Sequence, residues 1–394
     1  MTATALVPSS RRRLRAPGRL GKILLVTAVA LVVALAGFGV AEYLANATGE
    51  PTLVIYTYSS FFGGPGTPAY SEVFTTFANA HHIHIDVEFP SGTLVSTLLS
   101  QANAPSADLV LGLDEITATQ AEEHGLLVPY APPELANVSP ALVNEISPDH
   151  SAVPYDWGYL AVDYNESFFN ASDGAVAEAT FPDFATNSSW ANQLLIEDPT
   201  VDITGEEFLV WQVEYYEQVL HQNWTDFWTG VFPHLSYKPA PDWATAFGEF
   251  SSPPGNPGMV VSYSTDPAYA AYYGAGGSYN STVSWWNGTE YGWRTIYGAG
   301  IVSGSRHVAL DQEFENWLLS GTVQSLVATN EWEYPANSTI PLPPVYSAAL
   351  NPAGIVPLND GTTPSEVVGS LAGWLTTPLL SRRSSRATPR RANC

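Results

Sequence analysis

Short apolar runs alternate with segments of helical periodicity after residue 51. Thr52–Tyr58 and Ala107–Leu113 are largely apolar runs typical of buried strands, and His82–Phe89 alternates strictly, as a half-exposed strand does. Between these runs, apolar residues at helical spacing predict a helix over Ala69–Ala80, and Ser91-Gly92-Thr93 opens a second helix. This order of strands and helices predicts a parallel sheet in an α/β fold.

The rest of the chain continues this alternation as far as residue 375. A chain of 394 residues is too long for one small core, so two lobes are expected. The later strands are predicted at Tyr159–Tyr164, Met259–Tyr263 and Tyr297–Val302. The later helices are predicted at Gly205–Val219, Trp243–Phe250, Ala309–Leu319, Gly321–Ala328 and Thr363–Leu375.

The charged residues are distributed unevenly along the chain. The formal net charge is -24, yet six of the 14 basic residues precede Ile23 and five follow Ser381. Only Lys238, Arg294 and Arg306 lie between, so the body of the protein is strongly acidic and nucleic acid is excluded as its partner. Two causes of this acidity remain open, namely adaptation to high salt or an acidic medium and attraction of a cationic ligand.

A continuous uncharged apolar stretch, Ile23–Ala41, follows the basic segment at residues 1–22. It predicts one N-terminal transmembrane helix with its basic end in the cytoplasm and, after a linker at residues 42–51, the body outside the cell. The stretch is either an uncleaved anchor or a signal peptide cleaved near Ala45-Asn46-Ala47. The protein is therefore expected at the cell surface or, if the segment is cleaved, secreted.

The only cysteine is Cys394, so no internal disulfide can form and the fold must be held by packing. Residues 381–394 form a basic tail rich in Arg, Ser and Pro, a composition typical of disorder. The sequence also contains nine Asn-X-Ser/Thr sequons, which suit an exported and glycosylated protein. They lie at Asn46, Asn137, Asn165, Asn170, Asn187, Asn223, Asn280, Asn287 and Asn337.

Four stretches couple an apolar, strand-like run to a tip that carries Tyr, Trp or Asp. They are Val54–Phe61, Ala107–Asp114, Val153–Tyr159 and Val261–Tyr269. Where several strand ends converge, such tips supply rings that stack on a flat cation and carboxylates that neutralise it. The pattern therefore predicts a binding site for a flat cationic ligand.

These stretches resemble the thiamine-binding proteins of ABC importers, which are related to iron-binding and polyamine-binding proteins. Tyr56-Thr57-Tyr58 and Ala107–Asp114 match two of that family's strands, and Val153–Tyr159 matches its Val-Pro-Phe/Tyr-Asp-Tyr-Gly-Tyr segment. Ser262–Tyr269 corresponds to the family's Ser-Tyr-Thr-Thr-Ser-Pro-Ala-Tyr loop, and Glu331–Pro335 to its Asn-Trp-Met-Tyr-Pro motif. The similarity is collinear from about residue 52 to residue 375.

The resemblance implies a two-lobed periplasmic-binding-protein-like (type II) fold with hinge crossovers. Lobe I would comprise residues 52–157 and 296–345, and lobe II residues 158–295 and 346–380. It further implies a monomer without cofactor or resident metal that captures thiamine and delivers it to a permease and an ATPase. Such a protein is not an enzyme.

Carried over by position, the family's ligand-contacting rings are Tyr58, Trp243, Tyr263, Tyr269 and Trp332. Stacking and cation–π contacts from Tyr and Trp suit both rings of thiamine. The alternative is that these rings only pack in a core. Asp156 and Asp114 follow strands at expected turns between the lobes, where a carboxylate can face the thiazolium. For Asp114, a role as helix N-cap before Glu115 is an equal alternative.

Two departures from the family bear on its ligand. Gly63 stands where the family has a Trp before its Gly-Pro-Gly turn, and Asp202 replaces a small hydroxyl residue in the segment that helps to hold a phosphate. An ionised Asp202 would repel a phosphate, although Gly92 keeps a helix start that suits an anion. We therefore predict a preference for unphosphorylated thiamine.

Two other functions remain as alternatives. A ferric-iron or other small-solute binding protein of the same fold is one, since Tyr272-Tyr273 resembles the adjacent tyrosines of the iron-binding branch. His82 and His84 fall on the polar side of an alternating strand, so they do not support a metal site. A carbohydrate hydrolase is the other, and Asp114 with Asp156 would be its pair of carboxylates.

Overall fold

The computed structural model describes residues 50–169, 176–252, 257–274 and 279–356. The predicted transmembrane segment, the predicted helix at Thr363–Leu375, the basic tail and the sequons at Asn46 and Asn170 lie outside these residues. Within the described ranges, no helix is long and apolar enough to cross a membrane.

The strands form one mixed sheet whose main path has the order β2-β1-β3-β10-β5-β7-β6. The strands are β1 (Thr52–Tyr56), β2 (His84–Glu88), β3 (Leu109–Leu113), β4 (Leu127–Val128), β5 (Val153–Tyr164), β6 (Leu194–Leu195), β7 (Met259–Tyr263), β8 (Asn280–Thr282), β9 (Ser284–Trp286), β10 (Thr289–Val302), β11 (Tyr334–Pro335) and β12 (Gly354–Ile355).

Parallel pairing occurs where the first strand–helix units predicted it. β1 runs parallel to β3, with Ile55 beside Leu109, and both strands are largely buried because their side chains are apolar on both faces. β10 then lies antiparallel between β3 and β5, and β5 lies antiparallel to β7. The sheet as a whole is therefore mixed.

β5 and β10 are the longest strands, with 12 and 14 residues. Both begin well before the predicted starts at Tyr159 and Tyr297. The early part of β5 had been recognised only as the strand-like stretch Val153–Tyr159, and the early part of β10 was not predicted.

The helices lie where helical spacing predicted most of them. They are α1 (Pro68–Ser71), α2 (Phe77–His81), α3 (Leu94–Ser100), α4 (Glu115–Glu123), α5 (Pro140–Ile146), α6 (Phe181–Thr186), α7 (Ser188–Ala191), α8 (Ile203–Glu214), α9 (Thr225–Val231), α10 (Trp243–Ser251), α11 (Asp266–Tyr272), α12 (Val308–Leu318) and α13 (Gly321–Asn330). Two π-helical segments, Glu72–Thr76 and Tyr215–Leu220, continue α1 and α8.

The buried apolar side chains separate into two large clusters. The first includes Leu53, Ile55, Leu109, Leu111 and Phe314. The second includes Phe181, Phe208, Trp211, Trp228 and Met259. Both long strands contribute to each cluster: β5 through Tyr155 and Leu160, and β10 through Ile296 and Trp293. The chain therefore passes between the clusters near residues 156–160 and 293–296.

Most of the sequons within the described residues are at least partly exposed, but Asn337 is not. Asn337 is only 2% exposed, and its amide donates a hydrogen bond to the Leu319 carbonyl at 3.2 Å. This side chain is therefore not accessible to a glycosyltransferase in the folded protein.

Candidate functional site

A cavity of about 430 Å³ lies where the long strands pass between the two clusters. Its wall is aromatic and acidic, and among the described residues that form it there is no Lys, Arg or His. The rings are those of Tyr58, Trp243, Phe247, Tyr263, Tyr269, Tyr273, Tyr297 and Trp332. The carboxyl groups are those of Asp156, Asp202, Asp242, Asp266, Glu331 and Glu333.

All five rings carried over from the family line this one cavity. Tyr58 follows β1, Tyr263 ends β7, and Trp332 lies between α13 and β11. Trp243 and Tyr269 lie in α10 and α11. Each of the five is only partly buried, so a face of the ring remains available to a ligand. Their contact with a ligand stays a prediction.

Hydrogen bonds inside the protein fix two of these rings. The indole N–H of Trp243 donates to Ser262 Oγ at 2.9 Å, and the ring stacks on Phe247 at 5.1 Å with 19° between the planes. The Tyr263 hydroxyl lies 2.6 Å from that of Tyr297 and 3.1 Å from Thr204 Oγ1. These rings are held in place before any ligand arrives, so binding has less side-chain entropy to remove.

Trp332 has an unusual backbone conformation, with φ at +59°. A bulky residue rarely adopts this region, and such strain concentrates at functional sites. The conformation places the Trp332 ring edge-on to Tyr269 at 5.2 Å and to Tyr272 at 5.2 Å. The result is a compact aromatic wall on one side of the cavity.

Asp156, which the sequence predicted for the site, is fully buried beside the cavity. It is 0% exposed, and neither carboxyl oxygen has a hydrogen-bond partner within the described structure. Burial and then the charge of Glu331 raise its pKa well above the usual range. An unpaired buried acid is unfavourable when ionised, and a cation in the cavity would offset that cost.

Glu331 and Glu333 also line the cavity, although the sequence did not predict them as site residues. Glu331 accepts hydrogen bonds from the Tyr58 hydroxyl at 2.7 Å and from the backbone N–H of Phe62. Burial raises the pKa of Glu331 to about 8. The motif could have indicated them, because Glu331 and Glu333 stand where the resembled family has Asn and Met.

Asp202 also lines the cavity, and it caps α8. Its Oδ1 accepts a hydrogen bond from the Gly205 N–H at 3.2 Å, the bond for which Asp is favoured at helix N-termini. Burial raises the pKa of Asp202 to about 6, although hydrogen bonds from backbone N–H groups, that of Gly205 among them, act to lower it. The group is therefore largely ionised at neutral pH, as the predicted repulsion of phosphate requires.

The structure does not bring Asp114 and Gly92 to the cavity. Asp114 is 0% exposed and caps α4, with its Oδ1 accepting the Thr117 N–H at 2.7 Å. Gly92 has φ at +85° in the turn before Thr93, whose hydroxyl caps α3. Local backbone requirements account for both residues. Gly63 does line the cavity, where the family's Trp would take up space.

Asp114 and Asp156 therefore do not form a catalytic pair in the cavity, as the hydrolase alternative required. Of the two tyrosines that suggested iron, Tyr273 lines the cavity. Tyr272 and Tyr273 are 52% and 62% exposed and pack around Trp332. Across the part of the chain that the structure describes, no three His, Cys, Asp or Glu side chains are arranged to hold a metal ion.

Comparisons with known proteins support the resemblance. No protein-family model matches the chain. The thiamine-binding periplasmic protein of Escherichia coli (strain K12) is 25% identical over 329 residues, which cover 83% of this chain and 92% of that protein. A solved structure described as a periplasmic thiamin binding protein matches with a TM-score of 0.66 at 22% identity, covering 83% of this chain and 95% of that one.

A ferric binding protein from Campylobacter jejuni has a TM-score of 0.61 at 16% identity, with 84% of this chain and 98% of that one covered. Likeness at these identities establishes the fold alone, which is the mixed α/β fold of periplasmic binding proteins. The predicted resemblance to thiamine-binding proteins is confirmed at the level of sequence similarity and fold.

Proposed function

We propose that this protein is the extracytoplasmic substrate-binding component of an ABC importer and that its ligand is thiamine. The observation that carries the proposal is the wall of the cavity, in which eight rings and six carboxyl groups meet without one basic side chain. Thiamine has a permanent positive charge and two flat rings, and this wall is complementary to both features.

Binding would combine stacking with neutralisation of charge. Each desolvated cation–π contact is worth about 0.5–2 kcal/mol, so rings such as Trp243 and Trp332 would supply much of the affinity. Asp156 would face the thiazolium, since its carboxyl oxygens are buried and unpaired. No bond of the ligand is made or broken.

Release of the ligand would depend on movement about a hinge. We propose lobe I at residues 52–157 with 296–345 and lobe II at residues 158–295 with 346–380. The two hydrophobic clusters support this division, because both long strands have residues in each of them. Closure of the lobes would enclose the ligand and present the closed form to the permease.

The same cavity would favour thiamine over its phosphates. Asp202 and Asp242 both line it, and no cation is available there to pair with a phosphate. Asp202 is largely ionised at neutral pH, since its pKa lies at about 6. A phosphate near these acids would be repelled.

Calorimetric titration of the body with thiamine, thiamine monophosphate, ferric citrate and spermidine tests the proposal. Thiamine should bind with one site per chain and more tightly than its monophosphate near neutral pH. At a ligand concentration about 100 times Kd, it should add about 2.7 kcal/mol to the free energy of unfolding. Heat with ferric citrate and none with thiamine would overturn the proposal in favour of iron.

The N-terminal segment would keep the body outside the cytoplasm, as an anchor or as a cleaved signal peptide. An acidic body that captures a solute must meet it outside the cell, beside the permease. N-terminal sequencing of the mature protein from membrane and medium fractions separates the two fates of Ile23–Ala41. A body retained in the cytoplasm would contradict the proposed role.

A further inference from the structure

Two carboxyl groups in the cavity are buried and have no partner. Asp156 is 0% exposed and Glu333 is 4% exposed, and none of their four carboxyl oxygens has a hydrogen-bond partner within the described structure. Both line the cavity. We call these two side chains the acid pair. Buried polar groups in proteins are normally hydrogen-bonded, so the acid pair lacks a polar or charged partner, which a ligand can supply.

Strand pairing brings the acid pair together. β11 lies antiparallel to β5, with Pro335 opposite Asp156 and Tyr334 opposite Trp157. Glu333 therefore falls beside Gly158, and a Cβ atom at that position would collide with the Glu333 carboxylate. Because Gly158 has no side chain, it leaves space for the Glu333 carboxylate. The position of this carboxylate therefore depends on the glycine and on the pairing of β11 with β5.

The surroundings of the acid pair are acidic or phenolic. Glu331 and Asp266 are the other acids that face it, and the tyrosines around it include Tyr58, Tyr155, Tyr263, Tyr334 and Tyr346. Burial, followed by Asp156, Asp266 and Glu331, raises the pKa of Glu333 well above its usual range. Both acids of the pair are consequently harder to ionise than an exposed carboxyl group.

This acidity is a property of the present chain more than of the family that it resembles. Four acids of the cavity wall stand where the family motifs have neutral residues. Asp202 replaces a small hydroxyl residue, and Asp266 replaces Ser in the loop that ends at Tyr269. Glu331 and Glu333 replace Asn and Met around Trp332.

We propose that the acid pair is a cation subsite that exchanges a proton for the positive charge of the ligand. On binding, the carboxylic O–H of Glu333 ionises, its proton passes to solvent, and the carboxylate formed pairs with the ligand's cationic nitrogen beside Asp156. This inference rests on the proposed function only in requiring a flat organic cation in this cavity. Glu333 then selects for cations. A neutral analogue of the same shape brings no positive charge to replace that of the released proton.

The exchange predicts a particular dependence on pH. For each proton released on binding, Kd rises tenfold for each pH unit of acidification in the range where the acid pair is protonated. A permanent cation such as thiamine has no titrating group on its thiazolium, so this dependence would come from the protein. Above the folded pKa of the pair, the dependence should vanish.

The test is calorimetric titration of the body with thiamine in buffers of low and high ionisation enthalpy, near pH 7. The difference in heat gives the number of protons released, which we expect to be about one for the wild type. Glu333→Gln should reduce that number to near zero and weaken thiamine binding by about tenfold or more. Glu249→Gln, an exposed change on α10, is the matched control and should behave as the wild type.

Each outcome bears on the inference. Glu333→Met, which restores the residue of the family motif, and Asp156→Asn are further variants whose folding is checked by circular dichroism.

Thiamine binding without proton release, together with wild-type affinity in Glu333→Gln, would overturn the inference and leave the proposed function intact. If thiamine does not bind, N1-methylnicotinamide and choline are titrated in the same way. Proton release with one of them that depends on Glu333 would sustain the subsite and refute thiamine, and no binding of any cation would overturn both.

Discussion

Replacing Glu206 by Gln should make the stability of this protein less dependent on pH. Glu206 lies in the first turn of α8 and is 5% exposed. Burial and then the charge of Asp114 raise its pKa from 4.5 to about 8, while a hydrogen bond with Gln120 lowers it. The protonated side chain is therefore the form that the folded protein prefers.

The sign and size of the effect follow from this shift. Because the folded-state pKa exceeds the unfolded value, the stabilising contribution is fully present below about pH 4.5 and is lost as the pH rises through about 8. A shift of this size corresponds to up to about 5 kcal/mol at full ionisation. Gln has nearly the same shape and does not ionise, so the variant should lose this part of the pH dependence.

Urea unfolding followed by tryptophan fluorescence, between about pH 5 and 8, measures the effect. The free energy of unfolding of the wild type should fall across this range, and that of Glu206→Gln should fall less, by several kcal/mol. Glu249→Gln is the control, because Glu249 is exposed and its change should leave the wild-type curve in place. Parallel curves for the wild type and Glu206→Gln would refute the argument from burial.

Further predictions concern the cavity. Trp332→Leu should raise the Kd for thiamine by about 3- to 30-fold, because one stacking contact is lost, and calorimetry would detect it. Asp202→Asn keeps a side chain that can cap α8 but removes the charge, so the affinity ratio of thiamine monophosphate to thiamine should rise by about tenfold. An unchanged ratio would mean that Asp202 does not select against phosphate. Gly158→Ala should displace the Glu333 carboxylate and destabilise the protein by about 1–3 kcal/mol, whereas Gly248→Ala, where a Cβ meets nothing within 4 Å, should not destabilise it. Equal melting temperatures of the two alanine variants would contradict this reasoning.

The sequence predicted the rings of the site better than its acids. Tyr58 and Tyr263 were carried over from the resembled family, and in the structure they follow or end strands and line the cavity. Asp114 also follows a strand, and from sequence its two possible roles were equal. In the structure Asp114 caps a helix. Its carboxylate accepts a hydrogen bond from the Thr117 backbone N–H at 2.7 Å and does not line the cavity.

The pairing of distant strands was beyond reach of the sequence pattern. Local periodicity indicates a strand but not its neighbours, so nothing predicted that β10 would lie antiparallel between β3 and β5. The pairing of β11 with β5 was equally hidden, since β11 is only two residues long. That pairing brings Glu333 beside Gly158, and the acid pair could not be recognised without it.

The structure also bears on the cause of the excess negative charge. At least thirteen of the Asp and Glu side chains are buried rather than exposed, so acidity is not confined to the surface. Burial raises the pKa of Glu197, Glu207 and Glu333, which makes the folded state more stable as the pH falls. Of these three acids Glu333 lines the cavity, and its protonated form would hold a cation less tightly than its carboxylate. Acidification should therefore stabilise the fold while it weakens the binding of a cation beside Glu333.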